Sequence, residues 1–186
     1  PTGFESAAAA LNACQTVNDQ LIRLIKSSSM PPLSETVNQG NDFLALELLL
    51  ETVKEAIHRS KTNAKRQLTL ALQLDAAALY DGEHYQLNPN TRMTAVQFGS
   101  YLQRLSSRYD IKTLKDPLDE SDWEGWRSLT QAIGGQIRLL AGELFVSNTR
   151  LFNEGREFGA ANAIAIQPIQ VGTLTETLSL IDSCRS

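Results

Sequence analysis

The chain has 186 residues, 42% of them hydrophobic and 20% charged, with a formal net charge of -4. That is long enough and apolar enough for one domain with a substantial core. No basic block or aromatic-basic run is present, which argues against nucleic acid as a partner, and no apolar run approaches the roughly 18 residues that a membrane helix needs. The two cysteines, Cys14 and Cys184, lie near opposite ends. Two buried thiols in a reducing compartment are expected rather than a disulfide. With no signal peptide visible, a cytoplasmic location is expected.

Phe4, Ala7, Ala8, Leu11, Cys14, Val17, Leu21 and Ile25 recur at helical spacing and predict an amphipathic helix. Ser27-Ser28-Ser29-Met30-Pro31-Pro32 ends it, and residues 31–42 read as polar and irregular. Leu44 to Ile57 predicts a second helix, apolar almost all round and therefore well buried, with a basic end at His58, Arg59 and Lys61 that suits a helix C-terminus. Residues 68–74 then read as a strand ending at Asp75, and 81–93 as a loop or small hairpin. A helix follows over about 94–108, with Phe98, Tyr101, Leu102 and Leu105 on one face. Ile111 to Leu114 is the next strand.

Ser121 with Glu124 three residues on predicts a capping box for a helix lined by Trp126, Leu129 and Ile133 and stopped by Gly134-Gly135. A strand is expected over Ile137 to Ala141, a helix over Thr149 to Phe158, and a strand over Ala163 to Gln167. The last helix starts at Thr173, with Glu176 at the capping-box position and Leu174, Leu178 and Ile181 expected to be buried. Four strand-then-helix units with short apolar strands imply an α/β fold, a parallel sheet covered by helices. A doubly wound open sheet and a (β/α) barrel both satisfy that pattern. No glycine-rich turn follows the first strand, which counts against a dinucleotide fold.

Leu118-Asp119-Glu120-Ser121-Asp122-Trp123, Leu144-Phe145-Val146-Ser147-Asn148-Thr149 and Val171-Gly172-Thr173-Leu174-Thr175-Glu176-Thr177-Leu178 resemble the corresponding stretches of bacterial-type enolases, in the same order and at close to the same spacing. Pro1-Thr2-Gly3, the alanine-rich first helix and Leu74-Asp75-Ala76-Ala77 extend the likeness over almost the whole chain. It covers only the middle of an enolase's C-terminal barrel. The resemblance therefore implies an incomplete TIM-type (β/α) barrel, with residues 1–186 as one partial enolase-like barrel domain.

In that family three carboxylates at successive strand ends hold a magnesium ion, and a lysine takes a proton from 2-phosphoglycerate. Carried over by position, the resemblance implies Asp75 as a remnant of the first metal ligand. It places Lys115 where a ligand glutamate precedes Asp-Pro, and Gly142 where a ligand aspartate stands, with Glu143 as a displaced carboxylate. Gln167 stands at the position of the base. Glu35 is a candidate remnant of a catalytic loop. A hard dication needs several oxygens, and a glutamine amide cannot abstract a proton near neutral pH. No resident cofactor is expected, or magnesium if activity is retained.

Each of these residues also has a plainer reading. Asp75 suits a salt bridge, with Lys115 as one partner, or a helix cap. Glu143 suits a solvated or ion-paired carboxylate, and Lys115-Asp116 a loop ion pair. His58 and His84 have no ligand neighbours at zinc spacing. Trp123 and Trp126 read as packing residues. The expected function is a non-catalytic enolase-like domain that binds a protein partner, or a second copy of itself, over its open sheet edges. The alternative is a phosphopyruvate hydratase fragment or a divergent enolase-superfamily enzyme, a magnesium-dependent lyase forming phosphoenolpyruvate.

Overall fold

The computed structural model describes residues 4–27, 43–60 and 68–185. The chain divides into two units, Pro1–Leu70 with Leu87–Thr91, and Ala71–Gln86 with Arg92–Ser186. In the first unit, helices α1 (Ala7–Ser27) and α2 (Phe43–Arg59) pack on each other. The helical period predicts both elements, but not which stripe is covered. Leu11 is 70% exposed and Cys14 is exposed, while Ala13 is buried with Ala9, Ala10, Val17, Leu21 and Leu24 partly covered beside it. A stripe of small side chains lets a neighbouring backbone come close, and it wins over the larger side chains around it. In α2, Leu50 and Ala56 are buried but Leu48 is half exposed, so that helix is not covered all round.

The second unit carries the main sheet apart from Leu70, while residues 87–91 of the hairpin belong to the first. Strand β1 (Leu70–Gln73) leads through a 3-10 turn (Ala76–Leu79) to a hairpin of β2 (Tyr85–Asn88) and β3 (Thr91–Met93). Helix α3 (Ala95–Tyr109) follows, then β4 (Ile111–Lys115), α4 (Trp123–Ile133), β5 (Arg138–Ala141), α5 (Thr149–Phe158) and β6 (Ala163–Ile164). A short helix α6 (Pro168–Val171) and the last helix α7 (Leu174–Ser183) close the chain. The strands of the main sheet lie in the order β1-β4-β5-β6. Leu114 is in register with Leu139, and Leu140 with Ala163, both in parallel pairs.

That order is what separates the two architectures left open by pattern. A doubly wound sheet reverses its strand order at a switch point. Here each strand lies beside the one before it, with a helical crossover between, as in a sector of a (β/α) barrel.

Local chemistry sets where the helices begin. Thr94 and Gln97 form a reciprocal capping box at the start of α3, and Asp110 ends that helix in the left-handed region. The expected Ser121–Glu124 box does not form. Asp122 is the cap, its Oδ1 accepting from the Gly125 N–H at 2.9 Å, and Ser121 bonds back to Asp119 instead. The start of α7 follows the sequence reading: the Thr173 hydroxyl accepts from the Glu176 N–H and donates to its carboxylate at 2.7 Å.

Phe98, Leu102 and Trp126 on the helices and Leu114 and Leu139 on the strands are fully buried, each contributing about 1.5–3 kcal/mol of transfer free energy. On α5, Gly155 seats the Phe145 ring so closely that a Cβ there would lie 2.2 Å from it. The covered face of α7 differs from expectation. Thr177 and Leu180 are buried, Ile181 is partly covered, and Leu174 and Leu178 are 72% and 52% exposed. Both cysteines are free and exposed, against the expectation of buried thiols. No helix among the described residues is long and apolar enough to cross a membrane.

Candidate functional site

Because β4, β5 and β6 run parallel, their C-terminal ends share one rim, where a barrel of this kind places its chemistry. Lys115 ends β4, Asp75 and Gly142 come just after β1 and β5, and Gln167 lies in the loop past β6. They are not in equivalent surroundings.

Lys115 is the last residue of β4, and its Nζ lies 2.7 Å from Oδ2 of Asp116. Adjacent residues of a strand point to opposite faces, so this contact needs a bend. Asp116 supplies it with φ +46°, a left-handed conformation that aspartate tolerates better than most residues. The bend turns its carboxylate back across the rim. There Oδ1 accepts from the Gly142 N–H at 2.7 Å and the Glu143 N–H at 3.1 Å. Asp116 is only 8% exposed, and each of its carboxylate oxygens has a partner. Gly142 has no side chain to compete for this space. A Cβ there would stand 2.8 Å from Asp116 Oδ2 and 3.3 Å from Lys115 Cε.

The turn after β5 reaches the other way. Val146 and Ser147 both have positive φ, 45° and 54°, which for a β-branched valine is a strained backbone. Ser147 is buried; its hydroxyl accepts from the Gln167 N–H at 2.9 Å and donates to Gln170 Oε1 at 2.8 Å. Gln167 precedes α6 as its N-terminal cap residue, with no side-chain cap bond. The expected strand over Ala163 to Gln167 is therefore shorter, and Gln167 sits in the loop beyond it.

Asp75 is exposed, and its carboxylate caps nothing. The sequence leaves Lys115 free to pair with Asp75, but the pair it makes is with Asp116. Glu143 is exposed and contributes its backbone N–H rather than its carboxylate to the rim. Glu35 lies outside the described residues. His58 ends α2, and the His84 N–H donates to Asp81. Among the described residues no three His, Cys, Asp or Glu side chains are placed to hold a metal ion.

Beneath the rim is a frame that sequence reading identified only in part. The Leu118–Trp123 stretch wraps the hydroxyl of Tyr85, which donates to Asp122 Oδ2 at 2.8 Å and accepts from the Asp119 N–H at 3.0 Å. Burial pushes that hydroxyl well above the usual tyrosine range, with Asp122 adding to the effect, so it remains a donor. Trp126 Nε1 donates to the Asp119 carbonyl at 3.0 Å. Trp123 packs edge-on to Phe145 and tilted against Phe158. Tyr85 lies more than thirty positions from its partners, and nothing local in the sequence marks it. The Ser147 hook is hidden in the same way.

A model of the enolase C-terminal TIM barrel domain matches residues 1–186. The chain belongs to the enolase family. It is similar to the enolase of Sulfurimonas denitrificans, 32% identical over 183 residues, a match covering 97% of this chain and 44% of that enolase. The chain thus spans less than half the length of that relative.

The enolase family implies a divalent metal at these strand ends, and the donor set here does not fit one. Lys115 brings an ammonium, Gly142 brings no oxygen from a side chain, and both carboxylate oxygens of Asp116 are engaged. Asp75 and Glu143 remain as separate exposed carboxylates. A hard cation held by several oxygens cannot be assembled from that arrangement without dismantling it.

Proposed function

We propose that this chain is a non-catalytic enolase-family domain that works by binding another protein or a second copy of itself, or as part of a larger assembly. The observation that carries this reading is the chemistry of the rim. An amide at Gln167 stands where the family implies a proton-abstracting amine, and an ammonium at Lys115 stands where it implies a carboxylate. Losing base and metal ligands together removes the two largest contributions to ene-diolate formation, each worth orders of magnitude in rate.

Support for assembly comes from the surface. Among the described residues strands β1 and β6 are the edges of the sheet, and edge strands present unpaired backbone groups. After β6, Ile169 is 90% exposed and Leu174 and Leu178 are also open. Light scattering of the purified chain, with affinity capture from its native extract, tests the reading. The expected result is an oligomer or a stoichiometric partner. A stable monomer that captures nothing would sink it.

The rival reading is a piece of a phosphopyruvate hydratase whose other segments supply what the rim lacks. It is favoured by the chain spanning only 44% of the related enolase. It requires magnesium-dependent formation of phosphoenolpyruvate from 2-phosphoglycerate. Absence of that product, with the wild-type chain alone and within its full reading frame, removes it.

A further inference from the structure

The strand ends of β4 and β5 hold a cation of their own. We infer that the Lys115 ammonium replaces the dication at this rim as the charge that Asp116 needs while the Asp116 carboxylate ties the two strands. The inference rests on the same rim as the non-catalytic reading and goes further, since a site that lost its ligands could simply be empty and open.

Three observations carry it. First, the Lys115–Asp116 contact is a charge-assisted hydrogen bond of 2.7 Å between side chains only 24% and 12% exposed, sheltered enough for the pair to matter. Second, the far oxygen of the same carboxylate takes two backbone N–H groups at the start of the next loop, Gly142 and Glu143. That carboxylate joins the end of β4 to the end of β5, and the ammonium neutralises it. Third, the pair fills the volume above Gly142, since a side chain added there would meet both Asp116 Oδ2 and Lys115 Cε. A dication entering this space would have to expel an ammonium already bound, against repulsion of like charge.

The inference predicts a rim indifferent to metal and dependent on Lys115. Manganese titrated into the metal-free wild-type chain should show no binding by electron paramagnetic resonance up to millimolar concentrations. One equivalent bound below that range would overturn the inference. Lys115→Met keeps the aliphatic stem and removes the charge; it should melt several degrees lower, and Lys115→Arg should recover most of the loss. A Lys115→Met protein that melts with the wild type overturns the structural role. Lys115→Glu should reverse the response, its melting temperature rising on addition of magnesium where the wild type does not move. No rise counts against the claim that the ammonium occupies the cation's place. If Lys115→Glu does not fold without metal, the wild-type titration and the Met and Arg variants still decide. Turnover of 2-phosphoglycerate would defeat the non-catalytic reading; manganese uptake without turnover would defeat this inference alone.

Discussion

The junction between β4 and β5 and the junction between β5 and β6 solve the same mechanical problem with different chemistry. In both, a short polar side chain in the left-handed region turns back to a neighbouring strand end, Asp116 at the first and Ser147 at the second. In both it takes up backbone N–H groups left over where the sheet ladder stops, those of Gly142 and Glu143 or that of Gln167. The first uses a carboxylate and must therefore neutralise it, which Lys115 does. The second uses a hydroxyl and the Gln170 amide, and holds no charge at all. The contrast shows that two neighbouring strand ends of one rim can be held by different chemistry, one charged and one neutral. Where a charge is buried it has been paired, and where none is needed a neutral hook serves.

Four substitutions, taken from the largest expected effect to the smallest, put that contrast under strain. Asp116→Ala strands two backbone N–H groups and the Lys115 ammonium together, and should cost about 3 kcal/mol in chemical denaturation. A loss below about 1 kcal/mol would mean that the charged junction carries no more than an ordinary hydrogen bond. Gly142→Ala pushes a methyl group into the carboxylate and should cost about 1–3 kcal/mol by overpacking. A neutral result would show that the Lys115–Asp116 pair yields freely. Ser147→Ala removes the neutral hook and should cost about 1 kcal/mol, less than the Asp116 variant. The reverse ranking would invert the comparison. Asp75→Asn changes an exposed carboxylate that caps nothing, and its stability, with or without magnesium, should stay within about 0.5 kcal/mol of wild type. A magnesium-dependent difference between Asp75→Asn and wild type would put Asp75 back among metal ligands.

Much of the fold can be read from local pattern. The alternation of strands and helices, the hairpin before α3 and the Thr173–Glu176 cap all follow from periodicity and turn chemistry. What escapes is whatever depends on a distant partner. Period fixes that residues 7–27 and 174–183 are helical, but tertiary neighbours choose the covered stripe, so Leu11, Leu174 and Leu178 stay open. The α4 cap shifts by one residue because Asp122 can reach Gly125 while Ser121 is drawn back to Asp119. At the rim, residue identity alone raises the expectation that Lys115 and Gly142 stand at ligand positions of the family. The plainer reading of Lys115-Asp116 as a loop ion pair is met, but the bend that permits it is not foreseen, since strand geometry would send adjacent side chains apart. Only the positive φ at Asp116 brings them together, and no residue-level signal announces that angle.

The close seat of Phe145 on Gly155 links the buried face of α5 to this rim. Phe145 leads directly into Val146 and Ser147, so the packing of α5 fixes where the hook begins. The Trp123 indole lies 6.4 Å from the Phe145 ring by centroids and is partly exposed, while Trp126 is wholly enclosed. The protein therefore carries its own optical gauge. Emission from Trp123, isolated in a Trp126→Phe background, should shift when any side chain at position 155 lifts the phenyl ring. A change made on the buried face of α5 would then be visible as a change in colour at the turn that closes the rim.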